Sequence, residues 1–266
     1  MSSLAFRIIL FLALSLALLF LTLPIVAVFV DVGPDRLLST LDDPASVDAL
    51  RLSLETTAIA LAVILAAGTP AAYLLATRSF RGRAAVLTLI ELPLILPPAA
   101  AGIGLLAALG PNGVLGPALD SLGIRLPLTT AGVVVALVFV ASPFYLRQAI
   151  AGFGALDPTL LEASSTLGAA EPRTFARVAV PLCAPALATG AALAWGRALG
   201  EFGATLMFAG SFRGVTQTAP LAIFELLGTD FEASLALAAV LVAVSGALLL
   251  VLKLATPTEV RFDAVR

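Results

Sequence analysis

The sequence predicts an all-α, polytopic membrane protein with six transmembrane helices, and three observations carry that expectation. Hydrophobic residues make up 60% of the 266 and charged residues 12%, a balance outside the range of soluble globular domains. Six runs free or nearly free of charge, at residues 8–30, 57–76, 84–109, 126–146, 178–196 and 233–252, match the roughly 20 residues a helix needs to cross a bilayer. Between the fourth and fifth runs lies a small polar and charged island, within LLEASSTLGAAEPRTFARVAVPLCAP from residue 160 to 185, which has to be read against a membrane.

The first run follows Arg7 and could be a signal peptide, but it is too long for an h-region and IVAVFVDVG has no small-x-small cleavage site, so it reads as a span. The acidic stretch DVGPDRLLSTLDDPASVD follows it. The second run ends at Arg78, Arg81 and Arg83. In the third, Pro93, Pro97 and Pro98 each remove a backbone donor and predict a kink near its middle. Glu91 lies about a third of the way into that run, where it either reaches the interface or faces the bundle interior. The fourth run ends at Arg147.

Residues 178–211 hold only two charges, Arg197 and Glu201. At about 1.5 Å per residue this stretch is longer than a bilayer requires, which predicts a kinked or partly re-entrant segment. Gly196, Gly200, Gly203 and Gly210 would permit the bend and close backbone approach. Arg197 and Glu201, four apart, would share a helix face. They form either a satisfied ion pair at the outer interface or part of a gate, since ionisable groups within spans are functional candidates.

Basic residues are retained on the cytoplasmic side of a membrane. With the N-terminus inside, Arg7, Arg78, Arg81, Arg83, Arg147, Arg173, Arg177, Lys253, Arg261 and Arg266 are cytoplasmic, against Arg36, Arg51, Arg125, Arg197 and Arg213 outside. Both termini are then cytoplasmic and the acidic stretch external.

Residue supply excludes much chemistry. There is no His, Cys183 is the single cysteine, and Lys253, the only lysine, follows no glycine-rich loop. Metal clusters, Cys/His nucleophiles, a P-loop and a GxSxG elbow are therefore excluded. If ATP is used, another chain binds it. The expectation is a non-enzyme with no cofactor of its own and no nucleic-acid partner.

Within the island, Asp157 and Pro158 form a helix start, with Leu160, Leu161 and Leu167 spaced for one face. Gly168 supplies a left-handed stop, and Glu171-Pro172 starts a second helix that carries Phe175 into the fifth run. On shape alone this could be an amphipathic loop lying on the bilayer.

The spacing says more. Glu162-Ala163, Gly168 six residues after the Glu, and Val178-Ala179-Val180-Pro181 after nine further residues resemble the EAA signature of ABC-importer permease subunits, with Ser164 replacing the second Ala and Val178 and Val180 replacing Ile and Leu. The resemblance implies the type I ABC importer permease fold and a coupling helix, carrying Glu162, Ala163, Ser164, Gly168 and Pro181, that docks on a separate ATPase. A second resemblance, in GRALGEFGATLMFAGSFRGVTQTAPLAIFELL from residue 196 and ELPLILPPAAAGIGLL from residue 91, is to the molybdate permease subunits, with sulfate/thiosulfate permeases as near relatives. It covers most of the chain after about Ala49.

The resemblance implies a permease core at 49–255 with its EAA loop at 157–181, preceded by an added span and external loop at 1–48 and followed by a cytoplasmic tail at 256–266. It implies a homodimer in a bacterial or archaeal plasma membrane, two cytosolic ATPase subunits holding ATP and Mg, and an external binding protein delivering the anion. Arg197, Gly200, Glu201, Gly203, Pro97 and Pro98 are the candidate gate or pathway residues. Molybdate, with tungstate, is the expected cargo. Sulfate or thiosulfate is the alternative within the family, and a secondary anion transporter or channel the alternative outside it.

Overall fold

The computed structural model of the chain describes residues 3–255, and these are helical with no strand among them. The expected tail at 256–266, with Arg261 and Arg266, lies outside the described residues. Helix α1 (Ser3–Val30) has no buried residue in its apolar stretch and packs chiefly on the last helix. Its row of exposed Leu, Ile and Phe side chains suits contact with lipid.

Asp43 sits between α2 (Pro34–Asp42) and α3 (Pro44–Thr77) and caps the latter, its carboxylate accepting from the Ser46 backbone N–H at 2.9 Å and hydroxyl at 2.8 Å. Those two bonds, the hydroxyl's first, hold its carboxyl below the ordinary aspartate range. The second span thus begins at Pro44 rather than near residue 57. Its 34 residues extend about 51 Å, so one end projects beyond the hydrocarbon.

The third run departs most from expectation. It forms two helices, α4 (Arg83–Ile95) and α5 (Pro98–Leu109), bent by 119°. Pro97 and Pro98 remove two successive donors, and Leu96, preceding a proline, is extended at φ −67° and ψ 132°. Pro93 lies inside α4 without ending it. The expected kink is therefore a break.

After the short α6 (Gly116–Ser121), the fourth span is α7 (Thr130–Gly154), shifted towards the C-terminus of the expected run. Leu128, at φ +62°, turns the chain, and Thr129 caps the helix by accepting from Gly132 N–H at 3.1 Å. Arg147 consequently falls inside the helix, where it meets Glu91 of α4 at 3.4 Å.

The island gives α8 (Pro158–Thr166) and α9 (Glu171–Thr174). A five-residue π-helical turn, Phe175–Ala179, joins α9 to α10 (Val180–Leu199). Then come α11 (Gly203–Ala209), α12 (Ala219–Leu227) and α13 (Phe231–Ala255). Among the described residues, five helices are long and apolar enough to cross a membrane: α1, α3, α7, the rod Glu171–Leu199 and α13; the bent α4–α5 pair makes six if counted as one span.

The core lies where α7 packs between α3 and α10. Small residues let these helices approach. A methyl group added at Gly68 of α3 would lie 3.0 Å from the Tyr145 ring of α7, and one at Gly190 of α10 would lie 3.1 Å from the same ring. Tyr145 is buried, and its hydroxyl shares a 2.6 Å hydrogen bond with Thr69 of α3.

Candidate functional sites: the polar loop and the broken helices

Two regions hold the residues the sequence singles out. The first is the loop from α8 to α10. Asp157 caps α8 through the Thr159 N–H at 2.9 Å, and that backbone bond holds its carboxyl below the usual range. Gly168, at φ +81°, ends α8. Its N–H donates to the Ser165 carbonyl at 2.9 Å and the Ala169 N–H to the Ser164 carbonyl at 3.1 Å, the double closure of a Schellman motif. The expected stop is there, and it needs a residue tolerant of positive φ.

Glu162 and Ala163 are exposed, and the Glu162 carboxylate has no partner among the described residues. Ser164 faces inward instead: its hydroxyl shares a 2.8 Å hydrogen bond with that of Thr174, which is buried in α9. The departure from the EAA pattern thus ties the two short helices together. The three leucines do not share a face. Leu161 packs on the core, whereas Leu160 is 44% and Leu167 87% exposed, because seven residues make about two turns and bring Leu160 and Leu167 to one side of the helix, with Leu161 about 100° round from them. A cavity of about 550 Å³ opens behind the helix between Tyr73, Arg78, Glu162 and Glu171, with Arg78 and Glu171 paired at 2.6 Å across it.

Sequence reasoning did not find the foundation of this loop. Tyr73 of α3, Phe153 of α7 and Phe175 of the π-turn form an aromatic triangle, with ring centroids 5.4, 5.0 and 6.3 Å apart. Here the loop's exit rests directly on the two central helices. The π-turn precedes Pro181, whose ring in a regular helix would press on the carbonyl four residues back and leave it unbonded. A wider turn, closed by Val180 N–H on the Phe175 carbonyl, leads into that proline. Pro181 was the only available signal.

The second region is the junction of the two broken helices. The α10 rod ends at Leu199, the chain breaks at Gly200, and α11 starts at Gly203, the interruption expected of an overlong segment. A methyl group on Gly203 would sit 2.7 Å from Pro98 Cβ, and one on Gly102 of α5 would sit 2.6 Å from Met207 Cβ and 2.7 Å from the Ala204 carbonyl. Pro98 and Gly203 are thus brought together. Pro97 caps α5, and Gly200 stays exposed at the turn.

Arg197 and Glu201 do pair, at 2.5 Å, but not on one helix face, because Glu201 lies past the end of α10. Its carboxylate bridges the break, one oxygen on the Arg197 guanidinium and the other accepting from Ala204 N–H of α11 at 2.7 Å. Its side chain is 1% exposed and that of Arg197 27%. A carboxylate so buried needs both partners. Glu91 belongs to neither region, being held by Arg147 between α4 and α7.

Residues 68–256 match the family model described as the binding-protein-dependent transport system inner membrane component. The chain belongs to that family. The permease is 38% identical over 240 residues to the molybdenum transport system permease protein ModB of Mycobacterium tuberculosis, covering 90% of this chain and 91% of the relative. It is 35% identical over 197 residues to the molybdate/tungstate transport system permease protein WtpB of Pyrococcus abyssi, covering 73% and 74%. A third relative, the sulfate transport system permease protein CysW of Synechococcus elongatus, is 36% identical over 193 residues, covering 73% and 68%.

Among solved structures, the permease superposes on a bacterial ABC transporter that imports the polysaccharide alginate with a TM-score of 0.77. That match covers 97% of this chain and 96% of the other at 18% identity, a likeness of fold. The permease therefore has the type I ABC importer fold and is a multi-pass membrane subunit of a transporter rather than an enzyme.

Proposed function

We propose that the permease moves molybdate, and tungstate with it, into the cytoplasm as the membrane subunit of an ATP-driven importer. The ModB likeness, spanning nine-tenths of both chains, is the observation that carries the cargo. ATP and Mg are held by a separate ATPase, two copies of which grip the α8 loops of a permease homodimer. An extracytoplasmic binding protein delivers the anion; a bacterial alginate ABC transporter is known in complex with an alginate-pentasaccharide-bound periplasmic protein, which supports such a partner. Closure of the ATPases draws the α8 loops together, and rigid-body rocking turns the path outward. The exposed, unpartnered Glu162 on a capped helix with a fixed glycine turn supports this reading.

In this scheme the α8 loop and both termini face the cytoplasm, α1 and the loop to residue 48 are an addition to a core at 49–255, and the α5–α11 junction lies on the path. Labelling of a cysteine at position 171 from outside, on a Cys183→Ser background, would overturn the orientation. The decisive experiment reconstitutes the permease with its ATPase and binding protein and measures oxyanion-stimulated ATP hydrolysis and uptake. Saturable sulfate transport that excess molybdate fails to compete would replace molybdate by sulfate and leave the importer reading intact.

A further inference from the structure

We infer that Arg197 is the residue that meets the oxyanion at the end of the permease opposite the α8 loop, and that Glu201 is the positioning residue that holds it there. The inference rests on the oxyanion reading above.

The geometry of the pair is the starting point. A guanidinium carries five N–H donors, and its strongest engagement with a carboxylate is two parallel bonds. Glu201 does not take that form. One carboxylate oxygen meets Nη2 of Arg197 at 2.5 Å, and the other is committed to the backbone N–H of Ala204 at 2.7 Å. The other guanidinium nitrogens make no hydrogen bond to a described residue, and none is sealed from solvent. Arg197 is thus held by one arm with an edge of donors left over.

Comparison with the other basic residues at that end isolates it. Arg36, Arg51 and Arg125 pair with carboxylates while 54%, 75% and 83% exposed, so water satisfies their remaining donors, and Arg213 is exposed beside Asp43. Arg197 is 27% exposed, at the end of an apolar rod. A tetrahedral dianion presents several oxygens and fits a guanidinium edge. Glu201 cannot follow the anion, because Ala204 holds it and its side chain is 1% exposed. Its fixed negative charge keeps the attraction weak. Weak holding is what transit requires, since an ion must enter and also leave.

The test uses Trp195, the only tryptophan in the chain and two residues before Arg197. The full-length permease in lipid nanodiscs is titrated with sodium tungstate against a sodium chloride control while Trp195 emission is read. Arg197→Ala, Arg197→Lys and Glu201→Gln are titrated in parallel, with melting temperatures measured for each. A saturable change in wild type, weakened about tenfold or more in Arg197→Ala and partly restored in Arg197→Lys, is expected from loss of charged hydrogen bonds. Glu201→Gln, which keeps the shape but not the charge, should bind tungstate more tightly and release it more slowly, with molybdate uptake by the reconstituted complex reduced.

A response in Arg197→Ala equal to wild type would overturn the inference. So would no tungstate response in wild-type permease whose complex imports molybdate; that result leaves the substrate reading standing. Lowered melting temperatures with unchanged tungstate affinity would make the pair structural and overturn the inference as well. A wild-type complex that imports no oxyanion would remove the substrate reading and this inference together.

Discussion

The α8 loop and the α5–α11 junction each depend on a glycine, yet the two glycines do different physical work. Gly168 has φ +81° and nothing within 4 Å of where a Cβ would lie. Gly203 has no positive φ, but a Cβ there would collide with Pro98 at 2.7 Å. One glycine is required by backbone conformation in open space, the other by a neighbour. A turn in open space can stay exposed and keep its shape when gripped, whereas a glycine contact locks two half-helices into one body. In the proposed scheme the first would serve as a handle and the second as a joint.

Substitutions that respect one glycine's constraint and violate the other's would break this contrast. Gly168→Val places a β-branched residue at positive φ, at a cost of about 1–2 kcal/mol that falls on the loop alone. The expected result is loss of uptake to background with normal insertion and melting temperature, and Gly168→Asn should retain transport because Asn tolerates the left-handed region. Normal uptake by Gly168→Val, measured in the reconstituted complex, would show that the loop's shape is not what couples.

Gly203→Val should behave in the opposite way. It overpacks the α5–α11 contact, a change that costs about 1–3 kcal/mol, and the yield of folded protein and its melting temperature should fall together. Asn offers no rescue here, since the constraint is volume. Were Gly203→Asn to melt like wild type, the junction would be looser than its geometry implies.

A smaller effect is expected at Ser164→Ala, which restores the residue of the EAA pattern and removes the bond to buried Thr174. Leaving one buried hydroxyl unpartnered costs about 1 kcal/mol. Melting temperature should drop by a few degrees and uptake by less than the Gly168→Val loss. Thr174→Val with Ser164→Ala should recover the stability, because both partners are then apolar. Failure of the double variant to recover it would mean the hydroxyl pair is not the tie.

What was legible in the sequence follows the same division. The α8 caps, the Gly168 stop and the start at Glu171-Pro172 are local backbone chemistry, and they stand where the residues placed them. The six apolar runs were legible by length, but the third could not show from its prolines alone that the bend would reach 119°, because that angle is set by what α5 packs against. The inward turn of Ser164 and the aromatic triangle under the loop depend on residues 10 to 102 positions apart in the chain, as in Ser164 with Thr174 and Tyr73 with Phe175. Arg197 and Glu201 were visible as a pair, but placing them on one helix face assumed that α10 continued through Gly200.

The smallest expected effect concerns the cap that starts the handle. Asp157 accepts from the Thr159 N–H at 2.9 Å, and that bond favours the charged carboxylate and lowers its pKa from the ordinary 3.8. A depressed folded-state pKa means that the cap's contribution is fully present above the ordinary value and is lost as pH falls through the lower, folded value. The loop should therefore keep its start across the physiological range and loosen only in strong acid. The Thr159 amide proton shift, followed by NMR in detergent, should titrate with a midpoint below 3.8. In Asp157→Asn the side-chain carbonyl still caps but carries no charge to titrate, so that step should vanish while transport at neutral pH is retained. A wild-type midpoint at the ordinary aspartate value would mean the carboxylate is not engaged, and α8 would then be started by Pro158 alone.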